Sequence, residues 1–141
     1  MIAPLKSPYD TDDTQLLALC VWREARGESP DAKFGVACVI QNRIAMAPAQ
    51  GFKSDVRGNI LKPWAFSSFM DGDPNSTKYP NVMDASWLEC LNAAQSEDPD
   101  NTGGAVFYFS PPLTDPPHAW GPVRVTAVID HLTFCVPLST Q

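Results

Sequence analysis

The sequence predicts an α+β fold, mainly helical in its N-terminal part, with a small antiparallel β-sheet toward the C-terminus. Three observations predict it. Capped segments with apolar residues at helical spacing recur up to about residue 95. Short runs rich in β-branched and aromatic residues, Ala105–Phe109, Val123–Val128 and Leu132–Val136, follow them. Prolines number 14 in 141 residues, about twice the usual share, which argues against a bundle of helices alone.

Residues 1–12 read as a loose N-terminal arm, and 13–141 as one domain, since no linker or repeat divides the chain. Asp13 or Thr14 can cap a first helix that runs to about Arg26 and stops at Gly27. Leu16, Leu17, Leu19, Cys20, Val21 and Trp22 make it apolar almost all round, so it belongs deep in the core. Ser29-Pro30 then opens a second helix, Ser as N-cap and Pro in the first turn, reaching about Ala45. Val36, Val39, Ile40 and Ile44 form its inward stripe, and Gly35, Ala37 and Cys38 leave room for another helix to approach. From Met46 to Pro80 the chain is mostly turn chemistry, with a short helix near Asp55–Leu61. Phe52, Trp64, Phe66, Phe69 and Tyr79 recur along it, as on a binding surface. A third long helix spans about Asp84–Gln95, with Met83, Trp87, Cys90 or Leu91, and Ala94 on one stripe. Asp130-His131 is the corner that joins the last two strands as a hairpin.

Composition excludes several functions. Ten basic residues against sixteen acidic ones give a net charge of −6, which speaks against a nucleic-acid groove or a polybasic membrane contact. No run reaches transmembrane length, and the start of the chain has no apolar leader region. The expectation is a product made in the (host) cytoplasm without a signal peptide and with no membrane insertion. Cys20, Cys38, Cys90 and Cys135 lack CxxC spacing and have apolar neighbours, so they read as buried free thiols. Two distant histidines, His118 and His131, make a poor metal-ligand set, and no cofactor or metal is expected.

Glu24 is the sharpest local anomaly. Leu17, Cys20 and Val21 lie seven, four and three residues before it, so its side chain shares their apolar face. Desolvation and the negative end of the helix dipole both penalise its anion there, and a carboxylic acid kept protonated is what a general acid requires. The alternative is a partly exposed Glu paired with Arg23 or Arg26. Glu28 is expected to contact the amides of the second helix. Arg43 is expected to bridge helices through a carboxylate. Asp71 and Asp73 read as turn residues in a region where a water-activating base could lie.

Trp22-Arg23-Glu24-Ala25-Arg26-Gly27-Glu28-Ser29-Pro30, followed by Gly35-Val36-Ala37-Cys38-Val39-Ile40-Gln41-Asn42-Arg43, resembles the SleB/CwlJ family of cell wall hydrolases. Trp64-Ala65-Phe66-Ser67-Ser68, Asp98-Pro99, Thr102-Gly103-Gly104-Ala105-Val106-Phe107-Tyr108-Phe109, and Thr126 with His131 follow in the family's order, so the resemblance covers about 14–136. It implies a lysozyme-like domain that cleaves the MurNAc–GlcNAc β-1,4 bond of peptidoglycan without a cofactor. Glu24 matches the family's catalytic acid. The implied mechanism is that of a lytic transglycosylase, in which one carboxyl group serves as acid and then as base and the products carry 1,6-anhydromuramyl ends.

Ser67, Ser68, Tyr108 and Thr126 match positions lining the family's cleft, where they hydrogen-bond sugar, orient Glu24 or hold the fold. Tyr108 and Trp120 offer faces to pyranose rings. His131 matches a family histidine, as a substrate contact or as a hydrogen-bonding group at a strand corner. The expected partner is the peptidoglycan glycan strand, met as a monomer. With no leader, anchor or wall-binding module in view, an endolysin that needs a holin or another export partner fits better than a spore germination enzyme. The competing classes are a non-catalytic peptidoglycan-binding or virion structural module and an N-acetylmuramoyl-L-alanine amidase. A Cys–His amidase needs its thiol at a helix N-terminus, whereas Cys20 is mid-helix.

Overall fold

The computed structural model describes residues 12–111 and 120–138. The expected N-terminal arm lies outside the described residues except for Asp12, and His118 lies outside them too. Four helices precede three strands, in the expected order: α1 (Asp13–Ala25), α2 (Pro30–Met46), α3 (Val56–Ile60), α4 (Ala85–Gln95), β1 (Phe107–Phe109), β2 (Val123–Ile129) and β3 (Leu132–Pro137). No helix of the described residues is long and apolar enough to cross a membrane.

Local chemistry sets the helix ends. Asp12, one residue before the expected cap, accepts the Gln15 N–H at 2.9 Å and starts α1. Ser29 caps α2 by accepting the Ala32 N–H, with Pro30 in the first turn. Between α2 and α4 the turn-rich stretch forms α3 and short 3-10 turns at Ala49–Gly51, Ser67–Phe69 and Pro74–Thr77. Asp73 caps the last of these by accepting the Asn75 N–H at 2.8 Å, which agrees with its reading as a turn residue.

Helix α1 runs through the middle of the core, and every residue from Leu16 to Arg23 is buried. Its neighbours are α2 and α4, which bring Val36, Val39, Ile40, Trp87, Cys90 and Leu91 against it. Met83, expected on the α4 stripe, is 81% exposed because it precedes the helix in the turn that leads to Asp84. Gly35 serves a different neighbour from the one expected. A Cβ there would stand 2.7 Å from Cζ of Phe134, so the glycine admits an aromatic ring from β3 rather than another helix.

The sheet has the order β1-β3-β2, all antiparallel. β3 is the central strand and is buried along its whole length. Asp130 and His131 form the two-residue link of the β2–β3 hairpin, and Asp130 adopts the positive φ (55°) that such a turn requires. β2 pairs Val125 with Cys135 and Ala127 with Phe134, so Thr126 is the extra residue of a bulge. Released from the alternation, Thr126 Oγ1 donates to the carbonyl of Thr102 at 2.6 Å.

Candidate active site

Glu24 lies one residue from the end of α1, half-buried, with both carboxylate oxygens engaged. The Ser68 hydroxyl donates to Oε2 at 2.8 Å, and the Tyr108 hydroxyl donates to Oε1 at 2.5 Å. Both donors are hydroxyls, which can turn to accept as well as donate. The pair can therefore hold the carboxyl group before and after it gives up a proton. Burial, and after it the charge of Glu24, pushes the Tyr108 phenol well above its usual range, so Tyr108 stays a neutral hydrogen-bonding group.

Each donor is fixed by a separate anchor. Arg23, beside Glu24 in sequence, points its buried guanidinium into the loop that carries Ser68. It donates to the carbonyls of Ser68 (3.2 Å), Ser76 (3.1 Å) and Lys78 (3.1 Å). The rings of Phe69 and Tyr79 lie 4.6 and 4.9 Å from its charge centre. The alternative reading, a Glu24 paired with Arg23, gives way to this carbonyl clasp, because the two side chains leave the helix in different directions. Arg23 is the supporting residue of this site that reading the sequence missed. The signal available was a cation embedded in an otherwise apolar helix.

Tyr108 is placed from the end of α2. Asn42 donates to the carbonyl of Ala105 at 2.9 Å, and Arg43 Nε donates to that of Val106 at 2.8 Å. Two consecutive side chains thus pin two consecutive carbonyls just ahead of β1, which carries Tyr108 into the site. Asp100 completes the support, accepting from Asn42 Nδ2 (3.0 Å), Thr102 N (2.8 Å) and Gly104 N (2.9 Å). Arg43 makes no helix-bridging ion pair among the described residues. Its guanidinium sits among the rings of Phe52, Phe66 and Phe107, where burial lowers its pKa.

The other candidate residues are spread over the molecule. Ser67 is exposed at the start of its 3-10 turn, next to the buried Ser68. Trp120 stacks on Phe107, centroids 4.3 Å apart and planes within 9°. Thr126 holds the Thr102–Gly103 turn through backbone carbonyls, its Cβ 3.2 Å from where a Cβ on Gly103 would stand. His131 meets Glu28. Its backbone N–H donates to Oε1 at 3.0 Å, and its ring Nδ1 is 3.1 Å from Oε2. Glu28 therefore contacts the β2–β3 turn rather than the amides of α2. Asp130 reaches back the other way and accepts the Ser29 N–H at 2.8 Å.

Glu28, Asp130 and His131 bring ligand-type atoms within 4.8 Å of one another. Both carboxylates already accept a backbone N–H, and the trio is accounted for as a clasp between the α1–α2 turn and the hairpin. The four cysteines are free and buried. Burial pushes Cys38 and Cys135 up to about 11 and Cys90 to about 12. Burial and then the Glu24 charge push Cys20 well up. None is a thiolate at neutral pH, which removes the nucleophile a cysteine amidase needs.

Comparison with known proteins gives the same fold. The chain is 32% identical to the catalytic domain of the Bacillus cereus SleB protein, with a TM-score of 0.63, covering 87% of this chain and 88% of that one. It is 30% identical to the catalytic domain of the germination-specific lytic transglycosylase SleB from Bacillus anthracis, with a TM-score of 0.67, covering 93% of this chain and 99% of that one. Spore cortex-lytic enzymes of Bacillus cereus (34% identical) and Bacillus subtilis (32% identical) match 90% and 94% of this chain, which spans only 45% and 40% of their lengths. The family model described as cell wall hydrolase matches residues 27–135, beginning three residues after Glu24. With its helices and sheet in the same arrangement and the family model matched over residues 27–135, the chain belongs to the cell wall hydrolase family.

Proposed function

We propose that this chain cleaves the MurNAc–GlcNAc β-1,4 bond of peptidoglycan as a lytic transglycosylase, with Glu24 as the single catalytic carboxyl group. One observation carries the reading: Glu24, at the end of a buried helix, is held on both oxygens by hydroxyls. The groups that hold its oxygens are hydroxyls, and Tyr108, Cys20 and Arg43 are among the ionisable groups that feel its charge. A two-carboxylate glycosidase needs a partner about 5 to 9.5 Å away, as nucleophile or as base for water. The solved Bacillus anthracis relative is described as a lytic transglycosylase, in agreement.

The chemistry balances with one carboxyl group. Glu24 gives its proton to the glycosidic oxygen as the bond to muramyl C1 breaks. The carboxylate so formed then takes the proton of the muramyl 6-hydroxyl, whose oxygen closes on C1. The product is a 1,6-anhydro ring, no water is consumed, and Glu24 returns to its starting state. Ser68 and Tyr108 hold the carboxyl through both steps, while the exposed Ser67 and the half-buried Trp120 are read as sugar contacts. Thr126 and His131 act through the fold rather than on the substrate.

The test is digestion of purified sacculi by wild type and Glu24→Gln, with mass spectrometry of the products. The variant keeps the volume and the hydrogen-bonding group but has no proton to give. The expected result is an unchanged fold, a melting temperature equal or higher, and a rate lower by at least about a hundredfold. Wild-type products should carry 1,6-anhydromuramyl ends. Reducing ends would keep the glycosidase and reject the transglycosylase route, and full activity in Glu24→Gln would reject the assignment.

A further inference from the structure

A groove of ≈ 270 Å³ opens between the end of α2 and the 50–65 loop, with Arg43, Phe52, Lys62, Trp64, Phe107 and Trp120 in its walls. Three features tie it to Glu24. Arg43 lines the groove, and its charge acts on both Glu24 and Tyr108. Ala65 of the groove wall is three residues from Ser68, which holds Oε2. Phe107 of the opposite wall lies on β1, the strand whose other face carries Tyr108, which holds Oε1.

Two properties set the groove apart from ordinary surface. Trp64 is 82% exposed and has a φ of 69°, a left-handed backbone that a bulky aromatic residue rarely adopts. The fold thus holds a large apolar face in water at the cost of backbone strain, the kind of outlier that collects at ligand sites. The second property is charge. In a chain of net charge −6, the groove carries two cations, Arg43 and Lys62, and neither forms a salt bridge among the described residues. Lys62 Nζ donates to the carbonyl of Gly51 at 2.8 Å and Arg43 Nε to that of Val106, so each is held in place by a neutral acceptor.

We propose that this groove is the subsite for the substituted face of the muramyl residue, with a pyranose ring against Trp64 and the carboxylate-bearing peptide of the lactyl ether toward Lys62 and Arg43. The chemistry selects that occupant. The GlcNAc units are neutral, so the anionic group of the strand is the peptide on the muramyl lactyl ether, and a paired cation site beside an aromatic face suits a sugar with an acidic arm. This rests on the glycosidase reading.

The test compares two substrates, peptide-bearing glycan strands and the same strands stripped of peptide by an amidase. Lys62→Gln should raise KM about fivefold or more on the peptide-bearing strands, leave it unchanged on the stripped ones, and leave kcat unchanged on both. Trp64→Gly should raise KM on both substrates, while its melting temperature is equal or higher because glycine accepts the positive φ without strain. A merely structural Trp64 would instead cost stability when removed. Unchanged KM in Lys62→Gln, or an equal rise on both substrates, overturns the acidic-arm assignment while cleavage itself stands. Unchanged KM in Trp64→Gly overturns the sugar platform. A wild type that cuts neither substrate overturns the glycosidase reading, and this one with it.

Discussion

Arg23 and Ser68, 45 residues apart, meet through a 3.2 Å hydrogen bond from the guanidinium to the serine carbonyl, and the same serine's hydroxyl reaches Glu24 at 2.8 Å. Two consecutive residues of α1 therefore share one partner, the first holding its backbone and the second its side chain. The loop that completes the site is thus tied to the helix that carries the acid.

Arg23→Lys tests that tie. Lysine keeps the charge but loses the planar fork that reaches three carbonyls at once. The expected cost is about 2–4 kcal/mol of unfolding free energy, the scale of buried charge-assisted hydrogen bonds left unmade. Activity should fall in kcat, because Ser68 is no longer held. Urea unfolding together with steady-state kinetics checks both, and wild-type stability in the variant would show that the loop is held some other way.

Tyr108→Phe and Ser68→Ala each remove one hydrogen bond to Glu24 and little else. The Tyr108 ring packs near Phe134, centroids 6.1 Å apart, and phenylalanine keeps that contact. Each variant should lose about tenfold in kcat, equivalent to roughly 1.4 kcal/mol in the barrier, with KM little changed. A change confined to KM would place these hydroxyls on the substrate rather than on Glu24.

The clasp of His131 makes stability depend on pH. The hydrogen bond to Glu28, then the charges of Asp130 and Glu28, raise the His131 pKa above its ordinary 6.5. A group whose folded pKa exceeds its unfolded value contributes stability in full below about 6.5, and loses it as pH rises through the folded value. The melting temperature of wild type should therefore exceed that of His131→Ala most at about pH 5, and the gap should close toward about pH 9. A gap independent of pH would mean that the imidazolium plays no part in the clasp.

The thiols give a simple check on the reaction class. With all four cysteines buried and protonated at neutral pH, native protein should keep its activity in iodoacetamide and take up no label. After unfolding, mass spectrometry should find all four alkylated. Rapid inactivation of the native protein would point to a cysteine amidase instead.

Features that depend on near neighbours are legible in the chain itself. Ser29-Pro30 starts a helix because its capping hydroxyl and fixed φ act within one turn, and Asp130-His131 closes a hairpin for the same local reason. Glu24 could be singled out because Leu17, Cys20 and Val21 share its helix face, a matter of period alone. The tertiary structure decided which groups meet that carboxyl group. Ser68 and Tyr108 lie 44 and 84 residues away, and nothing in their own surroundings separates Ser68 from the exposed Ser67 beside it. The bulge that turns Thr126 onto the Thr102 carbonyl, and the separate partners of Arg23 and Glu24, likewise arise only when strands and loops pack. A hydrogen bond between distant residues costs the chain its freedom and is repaid only by the burial of the whole fold, so no local pattern records it.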